Sequence, residues 1–481
     1  MRDGKDYIES LKDGREVWLN GERVKDVTQH PDLRPSIEST ARLYDMQHEA
    51  AHEQLLTLQS PELGCRIGRT LQIARTGEDL ALRRKATALW MEQSFGFMGR
   101  APDFLNSVVM AMKAKSSYFS KQSPQRQQAV EAYYEHVARN DLFLTHALND
   151  PLPNKSKARH QQDEAGVVLH VAEDNAKGIF ITGAKVVATA AAYANEAIVF
   201  PMPANLVPGD ETHALACAVP MDAPGLKAMC RASFAHPGRQ QDFPLSSRFD
   251  EMDSVLIFDR VFVPWERVFL LGDTALMNAM YIDCKVRDMT AHQTAVRLQV
   301  KLEFLYALMV KIARMLGTES QPGKMQLLGE AAASVETVRA AILASEFGGA
   351  ADLDNGVFYP ELTPLTVPRV MGPRIYGDFV HKLRRLAGST LMQAPESLTA
   401  FDGPAGPDFE RFYRGTGVTG REKMALARLA WDICGTEFGS RHVLYELFYA
   451  GDPDALMAGF HRDYARKGEH LAMFERFFGG R

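Results

Sequence analysis

The sequence predicts an α+β protein laid out as helices, then β-structure, then helices again. Three observations predict it. A stretch rich in Ala, Leu, Glu, Arg and Met runs to about residue 140, short β-branched runs broken by turn residues occupy about 165 to 270, and long apolar stripes at helical spacing follow about 275. The boundaries drawn from these changes are a helical domain over 1–141, a β-domain over 142–272 and a helical domain over 273–481.

In the first part, Arg34-Pro35 to Leu58 and Glu78 to Gln93 carry strong helix formers. Ser123-Pro124 opens a further helix through Ala138, because the fixed φ of proline suits a first helical turn. In the second part, VVLHV (167–171) is followed by the polar turn EDNAKG and then IFITGAKVV; AIVFP (197–201), ALACAVP (214–220) and VLIFDRVFVP (255–264) come later. Such runs predict an antiparallel β-domain. In the third part, Leu298, Leu302, Leu305, Met309, Ile312 and Leu316 form one stripe. Leu328, Val335, Val338 and Ile342 form a second, and Leu426, Leu429, Ala430 and Ile433 a third. Amphipathic helices of this length pack as a bundle.

Composition narrows the function classes. The 481 residues are 46% hydrophobic and 24% charged, enough to bury a large core. A net charge of −5 argues against a general binder of nucleic acid or acidic membrane. The start, MRDGKDYIESLKDGREVWLNG, has no apolar signal region, and no run of about 18 uncharged apolar residues predicts a membrane span. Cys65, Cys217, Cys230, Cys284 and Cys434 are scattered and odd in number, without CxxC, so a reduced, cytoplasmic protein with no zinc motif is expected.

Seven motifs carry the candidate chemistry, and each also has a purely structural reading. Gly415-Thr-Gly417-Val-Thr-Gly420 spells a dinucleotide fingerprint, yet FERFYR precedes it where a buried strand is required, so a Gly-rich connection is expected. GRAPDFLNS (99–107) places Arg100 on a turn, either projecting into a cleft or solvated at a helix boundary. DLFLTHALNDP (141–151) sets His146 among apolar residues, as a catalyst or as a hydrogen-bonded core histidine. GAKVVATAA (183–191) has small residues that admit a flat ring, with Thr189 able to donate, or is a strand with a polar face. SSRFDEMDS (246–254) reads as a domain hinge salt-bridged by Arg248 rather than a metal site, since no His stands at ligand spacing. AHQT (291–294) puts His292 at the start of the longest stripe, as a catalytic group or simply as a polar helix-start residue, the reading that the motif alone favours. WDICGTEFGSRH (431–442) offers backbone N–H groups and Arg441 to a pyrophosphate, or simply close helix packing at its glycines.

Together these segments resemble one family. GRAPDFLN, the His146 segment, GAKVVATAA, HPGRQQDFPLSSRFDEMDSVLIFDRVFVPWERVF and RLAWDICGTEFGSRHVLYE are similar, along nearly the whole chain, to the 4-hydroxyphenylacetate 3-hydroxylase group of flavin-dependent oxygenases, which includes chlorophenol monooxygenases. The resemblance implies an acyl-CoA dehydrogenase-like fold: an N-terminal helical domain, a middle antiparallel β-barrel and a C-terminal four-helix bundle, assembled as a homotetramer or dimer. It also implies the oxygenase component of a two-component monooxygenase. FADH2 would come from a separate flavin reductase, and FADH2 with O2, through a C4a-hydroperoxyflavin, would hydroxylate a phenol such as 4-hydroxyphenylacetate or a chlorophenol. The absence of a credible nicotinamide motif suits that division of labour.

Motif by motif, the resemblance expects Arg100 beside the flavin and the substrate hydroxyl, His146 at the phenol oxygen or flavin edge, and Thr189 at the flavin N5 side. His292 is expected as the substrate base. Arg441 with Gly435, Thr436 and Gly439 is expected to bind the FAD diphosphate, across a subunit interface. Two departures stand out. Phe104 replaces a substrate-binding Tyr, and Pro151-Leu152-Pro153-Asn154-Lys155 replaces the family's Pro-Gln-x-Asp-Arg, leaving Lys155 to keep the charge. Phe104 and His292 favour a phenol without the acetate side chain. Among rivals, 4-hydroxybutyryl-CoA dehydratase needs three cysteines and a His around an iron–sulfur cluster, where this chain has Gly99, Asp103 and Gln299. An acyl-CoA dehydrogenase needs a carboxylate base with no strong candidate here. A scaffold without activity has no need of Arg100, His146, Thr189 and His292.

Overall fold

The β-branched runs fold as strands that share one core. The computed structural model describes residues 1–164 and 166–479. In chain order the strands are β1 (Glu16–Leu19), β2 (Glu22–Val24), β3 (Thr57–Ser60), β4 (Cys65–Gly68), β5 (Leu144–Ala147), β6 (His170–Asn175), β7 (Gly178–Thr189), β8 (Glu196–Val199), β9 (Leu215–Pro220), β10 (Leu226–Cys230), β11 (Asp253–Pro264) and β12 (Val268–Leu271). One six-stranded sheet has the order β2-β1-β10-β11-β7-β6, and a four-stranded sheet the order β12-β9-β8-β5. Side chains from both sheets, among them Ile181, Leu256, Phe258 and Val261 from the first and Val199, Leu215 and Val219 from the second, form a single buried cluster.

Three features differ from the sequence reading. The helix that begins at Arg34 ends at Met46, and Thr57 and Leu58 belong to β3, which pairs with β4. The pairing is not purely antiparallel, because β1 runs parallel to β10 and β5 parallel to β8. Parallel neighbours need a long crossover, and the chain from 148 to 195 supplies one for β5 and β8. The part read as helical also donates β1 and β2 to the larger sheet. These are too short for a period to show, and only the pairing of β1 with β10 and of β2 with β1 makes strands of them.

The longer helices are α1 (Arg34–Met46), α2 (Gly77–Gln93), α3 (Pro102–Ala114), α4 (Pro124–Asn140), α5 (Val286–Met315), α6 (Pro322–Phe347), α7 (Leu362–Ala387), α8 (Gly420–Cys434), α9 (Glu437–Phe448) and α10 (Lys467–Gly479). The chain forms two compact units, Met1–Gln293 with Ala351–Tyr359, and Thr294–Ala350 with Pro360–Arg481. In the second, α7 packs against α6, α8 and α9. The stripes of α5 and α6 are buried, Leu302 and Ile342 completely, except that Leu316 lies past the end of α5 and is half-buried. In α8 the buried face is Met424, Ala427, Ala430 and Ile433, while Leu426 and Leu429 are half-buried. No side chain of α10 is buried, and its Leu471, Phe474, Phe477 and Phe478 are exposed. Among the described residues no helix is long and apolar enough to cross a membrane.

Candidate active site

The turn between α2 and α3 aims Arg100 inward. Phe95 and Gly96 adopt left-handed φ of 52° and 73°, reversing the chain, and Ala101 is the extended N-cap with proline in the first turn of α3. The backbone N–H of Arg100 donates to Glu251 Oε1 at 2.7 Å. Its guanidinium carbon sits 3.9 Å from the Phe104 ring centroid, a cation–π contact. The phenylalanine that takes the place of a hydroxyl donor therefore holds the arginine.

Arg100 Nε donates to His146 Nε2 at 3.1 Å. His146 lies in β5, a strand buried at every position. Burial, and then the Arg100 charge, lower its pKa to about 3, with Asp253 pulling weakly the other way. The ring is therefore neutral. Because an arginine N–H only donates, Nε2 must accept, and the ring proton belongs on Nδ1. That buried Nδ1 finds no hydrogen-bond partner among the described residues. What His146 offers a ligand is a donor N–H.

Thr189 ends β7, flanked by left-handed Val187 (φ 58°) and Ala190 (φ 66°) where the ladder with β11 is bulged. A β-branched residue there is strained, a cost of roughly 1–3 kcal/mol that clusters at functional sites. Thr145, beside His146 in β5, donates to the Thr189 carbonyl at 2.7 Å, tying the two motifs together. The Thr189 hydroxyl itself donates to Asp253 Oδ1 at 2.8 Å.

His292 is buried near the start of α5. Its neighbour Gln293 donates from Nε2 to Asp103 Oδ2 at 2.8 Å, which ties this end of α5 to the first turn of α3. Asp103 is completely buried, and burial raises its carboxyl to about 7 despite that bond. The structure thus joins Arg100, Phe104 and His146 directly, Thr189 through Thr145, and the His292 segment through Asp103.

Other expectations fare differently. Lys155 is exposed, and the buried cations near its loop are Arg159 and Lys185, both paired with Asp150. The carboxylates of SSRFDEMDS have a partner from outside the motif, since Arg231 holds Asp250 at 2.6 Å and Asp253 at 2.9 Å, while Arg248 Nε donates to the Pro244 carbonyl. The GTGVTG motif is the turn before α8, where Thr419 and Glu422 form a capping box, and α8 follows the helix Gly406–Phe412 rather than a strand.

In the second unit, Thr436 caps α9 by accepting from Gly439 N at 3.2 Å. A Cβ at Gly435 would lie 2.4 Å from the Trp431 ring, and one at Gly439 2.2 Å from the Ile433 carbonyl. Close packing therefore requires both glycines whatever else they do. Arg441 is buried, with its guanidinium carbon 4.7 Å from the Tyr445 ring centroid. Motif reading missed Asp103, Asp253 and Gln293 as site residues. A carboxylate inside the apolar run PDFLNSVVM was the one available signal, because a buried acid needs a partner.

Both halves of the chain match one class of hydroxylase, residues 3–270 the model described as 4-hydroxyphenylacetate 3-hydroxylase N terminal and residues 277–479 its C-terminal counterpart. The chain belongs to the 4-hydroxyphenylacetate 3-hydroxylase family. It is 37% identical over 453 residues to the 4-hydroxyphenylacetate 3-monooxygenase oxygenase component of Thermus thermophilus, covering 94% of this chain and 92% of that one. A 4-nitrophenol 2-monooxygenase oxygenase component from a Rhodococcus species is 34% identical, covering 98% and 90%. A solved oxygenase component of 4-hydroxyphenylacetate 3-monooxygenase, complexed with FAD and 4-hydroxyphenylacetate, superposes with TM-score 0.95 at 34% identity over 100% of this chain and 99% of that chain. An archaeal 4-hydroxybutyryl-CoA dehydratase shares the mixed helix-and-sheet fold at TM-score 0.88 and 24% identity, over 99% and 95%.

Proposed function

We infer that the chain is the oxygenase component of a two-component monooxygenase that uses FADH2 and O2 to hydroxylate a phenolic ring. The observation that carries this reading is the pairing of half-buried Arg100 with buried His146, whose Nδ1 has no partner among the described residues. The related oxygenases named above, acting on 4-hydroxyphenylacetate and 4-nitrophenol, support it.

The residues present fit a flavin. Ala188, Ala190, Ala191 and Ala192 flank Thr189 in the sequence and are themselves buried, and His146, joined to Thr189 through Thr145, offers a buried Nδ1 with no partner among the described residues. Bound FADH2 supplies two electrons, so that one oxygen atom of O2 enters the ring and the other leaves as water. The protein's part is to hold the phenol and its charge. The Nδ1–H of His146 and the Arg100 guanidinium stabilise negative charge on the phenol oxygen, where fixed donors in a dry site cost no reorganisation. His292 accepts the phenol proton, assistance worth roughly 10²–10⁴-fold in rate. Thr189 contacts the flavin N5 edge, and Lys155 adds positive charge. Arg441 and Thr436 bind the diphosphate, with Gly435 and Gly439 allowing the close packing that sets them there.

We extend the proposal to the finer architecture: domains over 1–141, 142–272 and 273–481, the two sheets closing as a barrel, and the long C-terminal helices forming a four-helix bundle of acyl-CoA dehydrogenase type. The exposed apolar residues of α10 support assembly as a homotetramer, and five unpaired cysteines support a cytoplasmic location. A flavin reductase is the partner. A dehydratase reading lacks the cluster cysteines, since Gly99, Asp103 and Gln299 stand at those positions, and an acyl-CoA dehydrogenase reading lacks a strong candidate for its carboxylate base.

The test supplies chemically reduced FAD and O2 to the purified chain with 4-hydroxyphenylacetate, phenol, chlorophenols and nitrophenols. A catechol is expected from at least one, and NADH alone should give none without a reductase. No hydroxylated product from any phenol would sink the reading.

A further inference from the structure

Asp253 and Thr189 face each other in register across β11 and β7. The threonine hydroxyl donates to Asp253 Oδ1 at 2.8 Å, and the other carboxylate oxygen, Oδ2, takes a hydrogen bond from Arg231 Nε at 2.9 Å. Arg231 is itself held, donating from Nη2 to Asp250 Oδ1 at 2.6 Å and to the Glu251 carbonyl at 2.7 Å. The backbone of Thr189 is pinned by Thr145 and by the bulge at Val187. An ionised carboxylate can only accept, and a hydroxyl has one proton to give. Once that proton goes to Asp253, the Thr189 oxygen presents lone pairs and nothing else.

We propose that Asp253 fixes the direction of the Thr189 hydroxyl, so that Thr189 meets the flavin as an acceptor alone and selects its reduced form. This rests on the reading above that Thr189 faces the flavin N5 edge. Reduced flavin carries a hydrogen on N5, whereas oxidised flavin presents a bare lone pair there. An acceptor-only oxygen pairs with the first and opposes the second. An enzyme that receives FADH2 made elsewhere and must shed the oxidised product needs that sign of preference. The sequence reading, which let Thr189 donate to a ring nitrogen, had the opposite polarity. Asp253 is a positioning residue here, acting through Thr189.

The test is anaerobic equilibrium binding of FADH2, beside binding of oxidised FAD, to the full chain and to Asp253→Asn, Thr189→Val and Thr189→Ser. In Asp253→Asn the guanidinium of Arg231 turns the amide oxygen to itself, leaving Nδ2 to donate to Thr189 and freeing the hydroxyl proton for oxidised N5. The ratio of the FAD to the FADH2 dissociation constant should fall about tenfold or more, the scale of one charge-assisted hydrogen bond. That is about 30 mV in the two-electron potential of the bound flavin per tenfold. Thr189→Val should lower the ratio as well, and Thr189→Ser should keep it. An unchanged ratio in Asp253→Asn alongside a fall in Thr189→Val overturns this proposal and leaves the monooxygenase reading standing. Unchanged affinities for both flavins in Thr189→Val remove Thr189 from the cofactor and overturn both placements. Because Thr189→Val leaves the Arg231–Asp253 pair intact, it remains decisive if Asp253→Asn loses its fold.

Discussion

Arg100 donates from Nε to Nε2 of His146 at 3.1 Å, and the direction of that bond decides which nitrogen of the histidine is left to act. The arginine stacks on Phe104 and is anchored at its own backbone by Glu251, so its charge and the imidazole tautomer are set by one constellation. Arg100→Ala should leave flavin oxidation running while product formation falls, and the H2O2 released per FADH2 consumed should rise several-fold. Product and peroxide assayed together check this; unchanged coupling would place Arg100 away from the reacting atoms.

His146 gives a pH prediction with a definite sign. Its folded pKa is about 3, whereas an unfolded histidine titrates near about 6.5. Within that window the unfolded chain binds more protons, so stability rises with pH and is lost as pH falls. His146→Gln should flatten this acid arm of the stability curve. The kcat/KM profile should likewise show no limb from His146 between about pH 6 and 8. Such a limb, abolished by His146→Gln, would mean that the buried ring titrates normally.

Asp103 has the reverse sign. Its carboxyl titrates at about 7 in the folded state against about 3.9 unfolded, so the folded state holds the extra proton and stability falls as pH climbs through that range. Asp103→Asn should gain on the parent protein as pH rises, by something of order 1–4 kcal/mol in all. Urea unfolding at about pH 5 and about pH 8 measures the difference, and a difference independent of pH would refute the assignment.

The second unit hides a charged cluster with no part in the proposed reaction. Glu446 takes both Arg297 nitrogens, at 2.5 and 2.7 Å, and Lys301 at 2.7 Å, all of them buried. Burial pushes its carboxyl up, but the two cations outweigh that and hold it at about 2. Glu446→Gln removes the carboxylate that two buried cations share and should cost about 3–5 kcal/mol, read by denaturant unfolding. A loss below about 1 kcal/mol would mean that water reaches the cluster.

The sequence by itself determined the order of helical and β parts, because a periodic stripe such as Leu302, Leu305, Met309 and Ile312 must be buried wherever the helix goes. It also determined the family, and picked out Arg100, His146, Thr189 and His292 as residues a packing-only protein does not need. What only the tertiary structure decided is polarity and partnership. Nothing local says that Arg231 holds Asp250 and Asp253, or that β1 joins β10. Nor can a lone His146 or Thr189 reveal whether it donates or accepts. Each depends on one group brought from a distant segment, Arg100 in one case and Asp253 in the other. A hydrogen bond has a direction only once both partners are in place.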